Sequence, residues 1–509
     1  LYLLYSLEQQ IVLFGCCCFL ASYEYLSPLS ITLLAFIGQS NMSNTSSSSK
    51  VSTEAETPRV IGPIAGFAIV AGSMLGVGIF LFPGKIAYEI NSIGIFFAIW
   101  LLGGLFALSG SVACGELGAM IPKAGGDYVF QREAFGPSMA FASGWVLFVA
   151  IFCGSIASMS VAVFQYQVSS LTGVQLTGKI AFLGISYAQI LAIALILIIT
   201  FINHVGTRLS AWTQTILTLA PIAALTLISL WVLGFSSQPV VMPPAQKVGA
   251  TVLTLGGLAA SFMYVNFAFS GWINIIYVAS EVKDPGKNVP RSMISATFGV
   301  TGLYILMCMA FISVLGFTGL SALGWTDAGT GMAKALGMPY LQVGILILIA
   351  LAIITSVNAT VLASARVAYA MGKGGAFWRG ASALSGTRLV PRRALWLQAG
   401  LATIIVLSGT FDQIVKMASI AMFVTGVLTV LSMFVLRYTR PEAPRPYRAN
   451  LYPVLPGIYV LLSLLAIGIS LWQAISKGGA DAYYPLIGLG LFVLIFTSHF
   501  LFFRKNPSN

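Results

Sequence analysis

A chain of 509 residues with 58% hydrophobic and only 8% charged side chains is excluded from water-soluble folds, in which roughly 25% of residues are charged. The net charge of +12 does not imply nucleic-acid binding, because the basic residues fall between apolar segments, as topology signals do. The apolar runs are continuous and do not alternate, which excludes a membrane barrel and leaves an all-α membrane protein.

Residues 1–41 precede the first methionine, Met42, which opens a polar run rich in serine and threonine. We read 1–41 as an upstream or leader segment, although no Lys or Arg before Lys50 supplies a leader's basic region. An extra hairpin is the other reading, with Glu24 and Pro28 between two short apolar runs. Residues 42–59 read as a disordered cytoplasmic tail, polar and without aromatics.

Twelve apolar segments follow, at approximately 62–88, 93–119, 137–170, 183–202, 208–234, 252–280, 293–317, 340–371, 394–410, 412–436, 454–475 and 483–503. Each is close to or above the ~20 residues that cross a bilayer. With 42–59 in the cytoplasm, 20 of the 26 lysines and arginines fall on the cytoplasmic side. Only Lys85, Lys179, Lys247, Lys334, Lys416 and Lys477 face out. This split predicts twelve transmembrane helices in a cell membrane with both termini inside, 504–509 being a short tail.

The first segment holds residues 72–80 (GSMLGVGIF), with three glycines in seven positions. Each glycine weakens a helix by roughly 1 kcal/mol relative to alanine. An unwound stretch at mid-depth is tolerated only where protein, water or ligand meets its backbone. The same small-residue spacing also suits close helix packing. The sixth segment carries a comparable interruption at 267–272 (FAFSGW), which an aromatic packing face would explain equally well if taken alone. Together the two are stronger, because segments one and six run in opposite directions. Broken helices 1 and 6 are what a five-plus-five inverted repeat predicts, with substrate at the membrane centre. The ten-helix core would then be 60–436, with helices 11 and 12 in 437–503.

A half-helix beginning at a break offers free amides and partial positive charge to an anion. Unwound carbonyls favour an ammonium group. A ligand with both, an α-amino acid, would need no charged side chain. Consistent with this, Glu116 is the only carboxylate within an apolar segment, and it lies near that segment's cytoplasmic end. Missing carboxylates also weaken the alternative of polyamines or cationic amino acids. The six cysteines contain no CxxC pair, and His204 and His499 stand alone, so no metal, cofactor or disulfide framework is expected. No catalytic constellation appears, so an enzyme is not expected. Mid-membrane unwinding suits occlusion better than continuous conduction through a channel.

Three motifs then converge: 72–80; 116–128 (ELGAMIPKAGGDY); and 267–272 followed by 281–291 (EVKDPGKNVPR). A weaker fourth is 364–371 (SARVAYAM). In these motifs and their order the chain resembles the amino acid–polyamine–organocation (APC) transporters, particularly bacterial and LAT-like amino acid permeases. The resemblance implies a leucine-transporter-like fold and alternating access, moving small neutral L-amino acids. It implies substrate-binding residues Ser73, Met74, Gly76, Val77, Gly78, Phe267, Ala268, Phe269, Ser270 and Gly271. The amides of Val77 and Gly78 would hold the carboxylate, and carbonyls of Met74, Phe267 and Ser270 the amino group. Phe267 would be an aromatic lid, with Glu116 and Arg366 as further gating residues, Glu116 in a network with Lys123 and Arg132.

Two departures stand out. Val77 replaces the Ser or Thr of many relatives. Residues 217–221 (LTLAP) lack the lysine that sodium-independent relatives often place near Ala220. The coupling ion, H+ or Na+, is therefore open, with Thr355 and Ser356 as candidate cation ligands. The outer loop 172–182 has no cysteine, so no disulfide-linked partner subunit is expected. The basic stretch 373–393 reads as an orientation signal, with a contact to anionic lipid as the other reading.

Overall fold

The structure, a computed structural model, describes residues 59–178, 180, 184–205, 207–235, 254–384, 390–408, 411–477 and 483–502. The expected upstream segment 1–41, the cytoplasmic tail up to residue 58 and the tail 504–509 lie outside them. All described residues belong to the unit Arg59–Asn509.

The first apolar segment forms two helices. α1 (Pro63–Met74) starts with a proline in its first turn after an extended Gly62, a position where the missing N–H costs nothing. It stops at Leu75, whose ψ of 73° is not helical. α2 (Gly78–Ile90) starts three residues later and ends on Asn91 in the left-handed region. The expected break in segment one is therefore present, at residues 75–77.

α3 (Ile93–Met120) follows, then a turn and the short α4 (Asp127–Phe135). Glycines let α3 pack closely. A Cβ on Gly103 would lie 2.1 Å from Val265, and one on Gly104 2.4 Å from Thr301. α5 (Pro137–Thr172) contains two π-helical stretches, Val146–Cys153 and Val163–Val168. Its most apolar window is wholly buried, so it runs through the protein and not along its rim. α6 (Tyr187–Val205) and α7 (Thr207–Phe235) instead expose large apolar side chains such as Phe201, Leu227 and Leu230. Those faces suit lipid contact.

α8 (Leu255–Phe269) is capped by the Thr254 side chain, which accepts from the Gly257 amide at 3.0 Å. It ends at Ser270, and the chain turns through Gly271 (φ 106°) into a 3-10 helix, Asn274–Glu281. The second expected break is thus also present. α9 (Pro285–Leu323), α10 (Ala328–Ala335) and α11 (Pro339–Lys373) follow. The chain ends in α12 (Arg392–Ser408), α13 (Phe411–Thr439), α14 (Val454–Lys477) and α15 (Tyr483–Phe502).

Among the described residues, ten helical stretches are long and apolar enough to cross a membrane. α12, with 17 residues, and α15 occupy the ninth and twelfth expected segments and are not among those ten. Outside the helices, Ile61 forms a parallel bridge with Val282. The Ile61 amide donates to Glu281 (2.9 Å) and its carbonyl accepts from Lys283 (2.9 Å). This bridge ties the start of α1 to the chain leaving the second break.

Candidate functional site

The two breaks touch. A Cβ on Gly78 would lie 2.5 Å from the Cα of Ala268, and one on Gly271 would lie 2.6 Å from the Cβ of Ser73. Neither contact could relax by moving a flexible side-chain tip, so glycine is what permits this approach. Tyr304 of α9 stitches the breaks together, donating from its hydroxyl to the Met74 carbonyl (2.5 Å) and lying 3.0 Å from that of Ala268.

Several expected ligand atoms already have partners. The Met74 carbonyl accepts from Tyr304 and from the Gly76 amide (2.8 Å). The Phe267 carbonyl accepts from the Ser270 amide at 3.0 Å. By contrast, Val77 caps α2 with no side-chain hydrogen bond, and the first amides of a helix have no partner within it. Val77 and Gly78 are both buried, and neither lines the cavity beside the breaks.

A cavity adjoins the breaks. Ser73, Ser270 and Gly271 line it, as do Asn274, Tyr277 and Asp127. Phe267 is not in its wall. That ring is buried and packs edge-on against Phe82 (6.0 Å between centroids), which also meets Trp325 (6.1 Å). Phe269 turns away as well, against Tyr304 at 5.0 Å. Gly76 faces Ser356 and Met159.

The candidate cation ligands are knitted into the helix contacts. Ser356 Oγ donates to the Ser73 carbonyl (3.0 Å), and Thr355 Oγ1 to that of Leu351 (2.7 Å). The Thr355 carbonyl accepts from Gln214 Nε2 (3.3 Å), while Asn358 Nδ2 donates to Gln214 Oε1 (2.8 Å). The α7 position facing the first break is also not Ala220, which is exposed. A Cβ on Gly72 would lie 2.3 Å from Thr218 Oγ1. Two residues are about 200° of helix, enough to reverse the face.

The expected gating charges form separate ion pairs away from the breaks. Glu116 is bound by Arg437, by Arg445 and by the Ala449 amide (2.6 Å). The expected Lys123 lies instead beside Glu133, at 3.9 Å. The side chains that hold Glu116 come from α13 and the turn after it, far along the chain, which sequence neighbours could not reveal. Arg366 pairs with Glu281 at 2.7 Å, both nearly buried.

Sequence reasoning missed Asp127 and Tyr277. Asp127 Oδ2 accepts from Tyr277 Oη at 2.8 Å. Burial pushes the Asp127 carboxyl up to about 6, against the lowering effect of hydrogen bonds from Tyr277 and Thr429. The signal was present in residues 125–127 (GGD). Gly125 and Gly126 both adopt positive φ, 108° and 47°, and that turn folds Asp127 back beneath the second break.

The comparisons agree with this architecture. A family model described as "Amino acid permease" matches residues 61–498. The chain is 28% identical over 457 residues to the mouse b(0,+)-type amino acid transporter 1, covering 89% of this chain and 91% of the relative. It is 27% identical over 441 residues to the serine/threonine exchanger SteT of Bacillus subtilis, covering 85% and 95%. To the mouse Asc-type amino acid transporter 1 it is 26% identical over 450 residues, covering 88% and 82%. These relatives are transporters and not enzymes. A match over most of the chain, on a helical membrane fold, shows that this chain belongs to the amino acid permease family of the APC superfamily.

Proposed function

We propose that the chain is a secondary active transporter of small neutral L-amino acids, working by alternating access in a cell membrane. One observation carries the reading: two helix breaks in contact beside a cavity lined by Ser73, Ser270 and Gly271. The substrate carboxylate would meet the Val77 and Gly78 amides at the N-terminus of α2, where the helix dipole favours an anion. Because the Met74, Phe267, Ser73 and Gly271 carbonyls are engaged, its amino group would fall to the oxygens of Ser270. The tight contact of Gly78 with Ala268, with Phe267 and Phe82 beyond it, would be the closed gate of this state. Twelve spans, an inverted repeat and cytoplasmic termini complete the proposal, without a disulfide-linked partner.

Sodium bound by Thr355 and Ser356 would compete with the Ser356–Ser73 and Gln214–Thr355 hydrogen bonds, so the proton is the coupling ion we favour. A second reading, cationic amino acids or polyamines, is supported by one observation, the Asp127 carboxyl in the cavity wall. Uptake of a labelled neutral amino acid into proteoliposomes, in competition with each of the other amino acids, tests both. Saturable uptake inhibited by alanine, serine and threonine is expected. Inhibition only by lysine, arginine or polyamines would replace the first reading with the second.

A further inference from the structure

Asp127 differs from its acidic neighbours. Glu116 is held by Arg437 and Arg445, Glu281 by Arg366, and Glu133 by Arg440. Asp127 is 3% exposed and has no basic side chain within ion-pair distance among the described residues. Its Oδ2 takes the Tyr277 hydrogen bond, while Oδ1 makes none of normal geometry. The titratable groups facing it are Tyr277, Cys114 of α3 and Tyr459 of α14. α13 contributes the hydroxyl of Thr429, and among the described residues no cation pairs with the carboxylate. An unpaired carboxylate away from water is strongly disfavoured, so the site favours a proton or stays hydrated.

The carboxyl is also mechanically linked to the second break. The Gly125 amide donates to the Tyr277 carbonyl at 3.2 Å, and a Cβ on Gly126 would lie 2.5 Å from the Tyr277 ring. Tyr277 belongs to the segment that leaves Gly271 and walls the cavity. A change of charge at Asp127 therefore acts on the cavity wall through a tyrosine in direct contact with it.

We propose that Asp127 is a proton-binding site that gates this end of the cavity. With Asp127 ionised, the end holds water and stays open. Closing it requires Oδ1 to take a proton from solvent hydronium, forming an O–H bond, releasing water and leaving a neutral acid that burial tolerates. Reopening returns the proton to water. The position of the titration fits, since the carboxyl is mainly neutral below about 6 and ionised above.

The inference rests on the transporter reading, and its test separates the two. Uptake of a neutral amino acid by the full chain is measured in proteoliposomes from about pH 5 to 8, for wild type, Asp127→Asn and Tyr277→Phe. In parallel, a cysteine at Met422, in the cavity wall, is labelled over the same range without substrate. Wild-type cysteine labelling, divided at each pH by the rate of a free small thiol, should rise several-fold as Asp127 ionises. Asp127→Asn, which mimics the neutral acid, should label slowly at every pH and flatten the pH profile of uptake. Tyr277→Phe removes a hydrogen bond that favours the anion, so both midpoints should move to higher pH. A pH-independent wild type, or variants that keep the wild-type midpoint, overturns the gate. Loss in Asp127→Asn of cationic substrates alone, with the neutral pH profile unchanged, also overturns it and makes Asp127 a specificity residue. Absence of amino acid uptake with the labelling pattern intact would remove the transporter reading and leave the protonation site standing.

Discussion

At Gly78 and Gly76, two glycines of one motif face different neighbours, and the difference is testable. A methyl group on Gly78 meets the backbone of Ala268 at 2.5 Å, whereas one on Gly76 meets the Ser356 hydroxyl at 3.3 Å. Overpacking costs about 1–3 kcal/mol when neighbours must shift, and backbone shifts less readily than a hydroxyl. Gly78→Ala is therefore expected to lower uptake at least tenfold, with Gly76→Ala much milder. Uptake corrected for the amount of folded protein checks this. Both glycines were evident in the sequence, but which of them carried the contact was not.

Asp327, which caps α10, is a second buried acid without a cation. It accepts from Thr330 (2.8 Å) and Gln167 (2.9 Å), and burial raises its carboxyl from 3.8 to about 6. A folded-state value above the unfolded one means the folded protein binds the extra proton. Its contribution to stability is complete below 3.8 and is lost as pH rises through about 6. Asp327→Asn keeps a capping oxygen and should flatten this part of the melting-temperature profile in detergent. An unchanged slope between those two values would contradict the assignment.

At the scale of elements, Tyr304 joins three of them: α9 supplies the hydroxyl, α1 the Met74 carbonyl and α8 the Ala268 carbonyl. Tyr304→Phe leaves the ring packing and removes the bridge, at a cost of about 1–3 kcal/mol. A lower melting temperature and weaker amino acid binding are expected, because the two breaks lose their common tie. The Arg366–Glu281 pair fastens α11 to the end of the 3-10 helix. Arg366→Gln would strand a nearly buried carboxylate, which typically costs about 3–5 kcal/mol, and unfolding measurements should show it. In the sequence these residues were points on separate segments. Glu116 shows the same limit, since its partner Arg437 stands 321 positions away.

For the whole molecule, the expected topology puts the loop after α9 and the loop after α13 on opposite sides of the membrane. Thr326 and Glu442, both exposed, are suitable positions for single cysteines. An impermeant maleimide should label Thr326→Cys in intact cells and Glu442→Cys only after permeabilisation. Labelling of both from one side would refute the twelve-span arrangement.

The sequence by itself determined the membrane class, the order of apolar segments and the two interruptions. Continuous apolarity, glycine content and the placement of basic residues act along the chain, without reference to a fold. Only the tertiary structure decided which atoms meet: Tyr304 between the breaks, Thr218 rather than Ala220 facing Gly72, and Asp127 in the cavity wall. The reason is physical. A helix surrounded by lipid and by other helices is apolar on most of its faces, so no polar stripe in the sequence marks the face that turns inward. Asp127 was hidden for a related reason. It lies outside the apolar segments, and two glycines at positive φ fold it back into the protein.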